Sequence, residues 1–324
     1  MERTSKRFGL WGLMVGVVAA VLLALAVTPA FAVPSTGTPG WLKDSSGAWY
    51  YYDSDGNLAH GLVQMDNDAW YYLDTTTGAM KTGWIETTES PSYYGEPVWM
   101  YFIPSKGNAA TGWYQVGSKW YKFDSDGVMQ TGWVKSGGKW YYMKPSGAMA
   151  TSWYKVNGEW YYFSSSGVMQ TGWKQIGGKW YWFDSSGAAA CNEMVTIGSK
   201  KYCFDKGCAM RTGWVKDGYW YYFASGGAAV TGWQKIGGVW YYFKPNGTMQ
   251  TGEQVIGGAA YYFKSSGAMA SAEWVKYSIW DTNKEDYVEH WFYYFANGKK
   301  AYGTQVINGK TYKFHEEYGY WLNG

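Results

Sequence analysis

Tryptophan and tyrosine recur in sets of three whose spacing could build a box for a cation. Trp133, Trp140 and Tyr142 form one set, followed by Trp153, Trp160 and Tyr162, then by Trp173, Trp180 and Trp182. After an interruption come Trp214, Trp220 and Tyr222, then Trp233, Trp240 and Tyr242. The face of an aromatic ring carries the negative part of its quadrupole, so several rings around one cavity attract a positive charge. A cation with no N–H or O–H donors to satisfy, such as a quaternary ammonium, is the natural guest. Met149, Met169 and Met249, with Met129 and Met269, recur between successive sets, where a flexible apolar side chain could close the box. The same rings could stack on sugar faces, or serve only as bulk in a small core, so glycan binding and a structural or protein-binding array stand as alternatives.

Magnitudes favour many such boxes over a single good one. A desolvated cation–π contact is worth about 1–2 kcal/mol, so a three-ring box reaches about 4 kcal/mol net, a millimolar affinity. Several boxes engaging one polymer gain roughly a hundredfold or more through effective concentration. Repetition of the rings then has a function.

The elements that position these rings follow from the repeat itself. Tryptophans at 84, 113, 133, 153, 173, 214, 233 and 274 are mostly about twenty residues apart. Each unit reads TGW, a few mixed residues, a two-residue turn, a WYYF-like run and SSGxM. Gly137-Gly138, Asn157-Gly158, Gly177-Gly178, Gly237-Gly238 and Asn308-Gly309 suit a hairpin turn whose two central residues need positive φ. With Gly137-Gly138 as the turn, Trp133 opposes Tyr142, Val134 opposes Tyr141, Lys135 opposes Trp140 and Ser136 opposes Lys139. Alternation puts Trp133, Lys135, Trp140 and Tyr142 on one face, which reads as a partly exposed aromatic surface. Val134, Tyr141 and Met143 share the other face, the natural core. A lone hairpin is marginal in water, so the units must stack. The expected fold is all-β, an elongated β-solenoid of stacked β-hairpin repeats.

Units such as TGWVKSGGKWYYMKPSGAMATSW resemble the choline-binding, or cell-wall-binding, repeats of Gram-positive surface proteins, over nearly the whole chain beyond the leader. The resemblance implies a left-handed solenoid with choline of teichoic or lipoteichoic acid held between adjacent repeats by three aromatics. Carried onto this chain, it implies the five sets above, with Met149, Met169 and Met249, as choline-binding residues. The pattern is also similar to the glucan-binding repeats of streptococcal glucosyltransferases and the carbohydrate-binding repeats of clostridial toxins. TQVINGKTYKF, from Thr304 to Phe314, leans toward the toxin version.

Several copies depart from the pattern. Leu62 takes a tryptophan position near Trp70, Lys122 a third-aromatic position, and Glu253 and Ala260 both tryptophan positions of their repeat. In the most altered copy Glu193, Lys201 and Cys203 fall in aromatic positions, which excludes a box there. Cys191, Cys203 and Cys208 all lie in that copy, so export would permit one bridge with a thiol left over. Two insertions, 85–98 and 275–290, read as extended hairpins or solvated excursions. The final YKFHEEYGYWLNG reads as an end cap.

Residues 1–32 read as a signal peptide: Arg3, Lys6 and Arg7 precede an apolar run, and Ala30-Phe31-Ala32 fits a cleavage site. An uncleaved membrane anchor is the alternative. No later run could span a bilayer. The organisation is then a linker at 33–40, a hairpin array at 41–190, the degenerate repeat at 191–212, a second array at 213–272, and divergent repeats with the cap at 273–324. The expected location is secreted, attached non-covalently to the bacterial cell wall. A host or neighbouring-cell partner is compatible with this location.

Other functions have little support. The formal net charge of +3 is small and scattered, which argues against nucleic acid. Three histidines, at 60, 290 and 315, belong to no metal or nucleophile pattern, and no HExxH, GxSxG or phosphate-binding loop occurs. Asp53-Asp55 and Asp124-Asp126 sit in DSDG turns rather than flanking a substrate. The repeats leave no space for a catalytic domain. The reading is therefore a binding protein, with no enzyme activity, cofactor or metal site.

Overall fold

A computed structural model describes residues 38–322, apart from Tyr94, Thr282 and Asn283. The expected signal peptide at 1–32 lies outside the described residues. Among those described, no helix is long and apolar enough to cross a membrane. The chain divides into two compact units, one ending at Gln130 and one beginning at Thr131.

Both units are β-solenoids built from antiparallel hairpins. The first contains the hairpins Gly40–Lys43 with Trp49–Tyr52, Gly61–Gln64 with Trp70–Leu73, Gly83–Thr87 with Val98–Phe102, and Gly112–Val116 with Lys119–Phe123. Met80–Lys81 adds a third strand beside Trp70–Leu73. Hairpins of the second unit are called here by the residue in the first-tryptophan position. They are the Trp133 (132–143), Trp153 (152–163), Trp173 (172–183), Met194 (194–203), Trp214 (213–223), Trp233 (232–243), Glu253 (252–263), Trp274 (273–294) and Thr304 (303–314) hairpins.

The turn residues set the register. Gly137 and Gly138 adopt φ of 55° and 74°, as a two-residue hairpin turn matched to strand twist demands. Pairing then runs Trp133 to Tyr142, Val134 to Tyr141, Lys135 to Trp140 and Ser136 to Lys139, as the turn position predicts. A second turn follows each hairpin. In the Trp133 copy, Lys144 N–H donates to Ala148 O and Gly147 N–H to Lys144 O, and Met149 bridges back to Met143.

Stacking is fastened by one backbone hydrogen bond per step. Met169 N–H, in the segment after the Trp153 hairpin, donates to Trp140 O of the Trp133 hairpin at 2.9 Å. The same bond joins Met210 to Trp180, Met249 to Trp220 and Met269 to Trp240. Behind these bonds runs a column of fully buried rings, Phe163, Phe183, Phe204, Phe223, Phe243 and Phe263, continued by Tyr294 and Phe314. Each is the last residue of the WYYF run or its counterpart, and burying such a ring contributes about 1.5–3 kcal/mol.

The degenerate repeat remains a hairpin, with Met194 paired to Cys203, Val195 to Tyr202 and Thr196 to Lys201. Met194, rather than Glu193, therefore occupies the first-tryptophan position. That is a one-residue correction, because the repeat lacks the Gly-Trp pair that marks register elsewhere. Cys191 and Cys208 are disulfide-bonded across this copy, and Cys203 is free and buried. Burial pushes the Cys203 thiol above its ordinary pKa, with Arg211 acting in the opposite direction.

Both insertions lengthen hairpins. Strands Glu273–Asp281 and Asp286–Tyr294 form a nine-residue arm, with Trp280 and Tyr287 exposed near its end. Between Gly83–Thr87 and Val98–Phe102 the connection contains a short 3-10 turn at Pro91–Tyr93. Near the carboxy terminus Trp321 bridges to Phe314 and packs on Trp274 and Tyr312.

Candidate functional site

The first and second tryptophans of a hairpin meet because their positions are offset by one cross-strand pair on the same face. Trp133 and Trp140 stand edge to face, 6.3 Å apart at 89°. Trp153 with Trp160, Trp173 with Trp180, Trp214 with Trp220 and Trp233 with Trp240 repeat this at 6.2–6.4 Å. The second tryptophans, Trp140, Trp160, Trp180, Trp220 and Trp240, are all exposed, as the outward face requires.

The third ring comes from the next hairpin. Tyr161 lies 4.9 Å from Trp133, Tyr181 4.9 Å from Trp153, Tyr202 4.8 Å from Trp173, Tyr241 4.9 Å from Trp214 and Tyr261 4.8 Å from Trp233. These tyrosines occupy the middle of the WYY run and sit on the opposite face of their own hairpin, so stacking aims them at the tryptophans of the preceding one. The third ring of the same hairpin, Tyr142, Tyr162, Trp182, Tyr222 or Tyr242, packs against its first tryptophan at 5.1–5.3 Å. Tyr142, Tyr162 and Tyr242 also reach the buried phenylalanine of the following hairpin.

A cavity of about 420 Å³ shows the arrangement, lined by Trp173, Trp180, Tyr202, Met210, Ser225 and Gly226. Three successive repeats contribute to it. No carboxylate, ammonium or guanidinium lines this cavity, whose walls are ring faces and a thioether with Ser225 and Gly226 at the adjoining turn. The degenerate repeat, which lacks tryptophans of its own, supplies Tyr202 and Met210. Trp182 instead lines a different cavity, with Tyr161, Glu159 and Asp184.

Met169 and Met249 serve the step before their own repeat. Met169 is hydrogen-bonded to Trp140 O and Met249 to Trp220 O through their backbone N–H groups. Met149 and Met169 lie against Gly167 and Gly187 of the following turns, where an added Cβ would fall within 2.4 Å of the methionine sulfur. Those two glycines permit the close approach. In the Trp153 step Ala189 replaces methionine and makes the same bond to Trp160 O.

Further cages lie outside the five sets. Trp41, Trp49, Tyr71 and Met80 line a cavity of about 410 Å³ with Pro104, Ser105, Lys106 and Gly107. Trp84, Trp99 and Tyr121 assemble with ring separations of 6.4 and 4.8 Å, and Met129 N–H donates to Trp99 O. Near the carboxy terminus Trp274, Tyr312 and Trp321 converge, and Trp321 N–H donates to Trp291 O, which puts Trp321 in the methionine position. The signal for the missed tyrosines was present in the repeat: the middle tyrosine of WYY persists at Tyr202, where both tryptophans are lost.

The family described as Choline-binding repeat matches residues 39–96, 110–152, 150–194 and 230–274. No curated protein sequence matches significantly. Among solved structures, CbpJ from Streptococcus pneumoniae TIGR4 is similar at 28% identity with a TM-score of 0.61, over 81% of this chain and 99% of that one. Choline binding protein F from Streptococcus pneumoniae, solved with a peptidoglycan analogue, is similar at 27% identity and TM-score 0.59, over 82% and 99%. CbpF in complex with ipratropium aligns at 25% identity and TM-score 0.56, over 89% and 100%. The matched repeats cover more than half of the 324 residues, and on that ground, with the recurring aromatic cages, the chain belongs to the choline-binding repeat family.

Proposed function

We propose that this is a secreted, non-catalytic protein that attaches to the Gram-positive cell wall by binding the choline groups of teichoic or lipoteichoic acid. Each complete cage takes one trimethylammonium group between the two tryptophans of one hairpin and the middle tyrosine of the next. The observation that carries the reading is the cavity bounded by Trp173, Trp180, Tyr202 and Met210, whose lining offers a donor-free cation aromatic faces and no competing charge. Structural likeness to choline binding proteins supports it. The millimolar strength expected of one cage suits a protein that engages many residues of one polymer.

The test is a titration of the mature protein with choline, followed by intrinsic tryptophan fluorescence, beside a neutral isosteric alcohol and glucose polymers. Saturation by choline alone, weakened in Trp140→Ala and Trp160→Ala, is the expected result. A response to glucan and none to choline would move the function to glycan binding. Silence toward both would leave a structural array.

A further inference from the structure

Two steps of the second unit lack both cage tryptophans, and in each the protein places a lysine ammonium of its own against the ring that would have faced the ligand. In the Glu253 step, Glu253 and Ala260 hold the two tryptophan positions, Phe292 the tyrosine position and Lys300 the methionine position. The register of Glu253 to Tyr262 and of Val275 to Phe292, and the bond from Lys300 N–H to Ala260 O, establish these equivalences. Lys300 Nζ lies 4.4 Å from the Phe292 ring centre and 2.6 Å from Glu253 Oε2. Its side chain is only 4% exposed. Tyr277 and Tyr294 hydroxyls also donate to Glu253, fixing the carboxylate.

The Met194 step reaches the same result by another route. Lys201 holds the second-tryptophan position, and its Nζ lies 5.0 Å over the ring of Tyr221, the middle tyrosine of the next hairpin. The ammonium also donates to Asn246 O at 3.1 Å. Asn246 occupies the turn position that Gly226 holds in the Trp173 cage, so the cation sits where that cage is open. Other lysines differ: Lys135, Lys155 and Lys235 are exposed and stand 5.6–6.0 Å from a tryptophan of their own hairpin.

We propose that Lys201 and Lys300 are built-in ligands, cations of the chain that occupy the two tryptophan-less steps and close them to external choline. This assignment rests on the cation-cage reading above. A stacked hairpin whose cage lacks both indoles keeps its backbone bond to the next repeat but loses the indole contacts across the step, and an internal cation restores attraction to the remaining ring. The solenoid is then held at these steps without ligand, while the complete cages stay open.

The experiment compares thermal unfolding of the full mature chain without choline. Lys300→Met keeps the stem and deletes the charge, in a position where Met169, Met210, Met249 and Met269 already fit. It should unfold several degrees lower than the parent, and Lys300→Arg should lie between them. Lys201→Met should also unfold lower, by less, because its ammonium is less enclosed. Lys300→Ala leaves a cavity facing Glu253 and Phe292. Methylammonium chloride should raise its midpoint more than the parent's, with sodium chloride as control. If that variant does not fold in buffer, its refolding yield in the two salts is the measurement. A Lys300→Met midpoint equal to or above the parent's, or equal methylammonium effects on Lys300→Ala and the parent, would overturn the assignment. Failure of the choline reading itself would appear separately, as a parent chain that does not respond to choline.

Discussion

At the scale of single residues, the middle tyrosine completes the cage formed by the two tryptophans of the preceding hairpin. Tyr202 lies in the cage of Trp173 and Trp180, whereas Trp182 faces another cavity. Tyr202→Leu should weaken choline binding at that step roughly tenfold, the value of one desolvated cation–π contact. Tyr202→Phe, which keeps the ring face, should bind nearly as the parent does. Calorimetric titration of variants carrying only that cage distinguishes them. Trp182→Ala should lower stability more than affinity. A second residue-scale prediction concerns Asp74, whose carboxylate accepts from the Thr77 and Thr76 N–H groups and the Thr77 hydroxyl, and pairs with Lys81 at 3.1 Å. The Thr77 N–H foremost, then Lys81, holds its pKa well below the ordinary 3.8. A depressed carboxyl contributes stability that is present above the unfolded value and lost as pH falls below it. Acid unfolding of the parent should therefore steepen below about pH 3.8, a dependence that Asp74→Asn reduces when midpoints are compared across pH.

At the scale of the element, each hairpin is weak alone and is secured by its buried ring and its bond to the next step. Phe183 is fully buried in the column, so Phe183→Ala should cost about 3–5 kcal/mol, read from denaturant unfolding. The Met194 hairpin has lost its tryptophans and carries the Cys191–Cys208 bridge, which spans a sequence separation of 17. Its reduction should destabilise the chain by about 3 kcal/mol, measured as unfolding with and without reductant. Cys203, buried and held as a thiol, should stay unmodified by alkylating reagents until the hairpin opens.

At the scale of the whole molecule, the proposed attachment depends on how many cages one polymer can engage. Removing Trp140, Trp160 and Trp180 together should weaken retention on a choline-bearing polymer by more than tenfold, while the affinity of each remaining cage for free choline is unchanged. Binding to immobilised choline beside solution titration separates the two. The incomplete steps at Met194 and Glu253 interrupt the series without interrupting the stack, because backbone bonds from Ala229 to Lys201 O and from Lys300 to Ala260 O persist there.

The hairpins were legible in the sequence because everything that makes them is local. Gly137-Gly138 demands its turn, that turn sets the register from Trp133 to Tyr142, and alternation divides the faces. The outward tryptophan pair followed from the same arithmetic. What lay beyond it was every relation between repeats, since the period says that hairpins stack but not by what rotation. Rotation and stacking bring Tyr202 to Trp173, set Met210 against Trp180, join Cys191 to Cys208 rather than Cys203, and carry the Lys300 ammonium to Glu253, 47 residues earlier. The sequence by itself determined the repeating unit and its chemistry. Only the tertiary structure decided which units share a site, because each cage lies between hairpins and belongs to none of them alone.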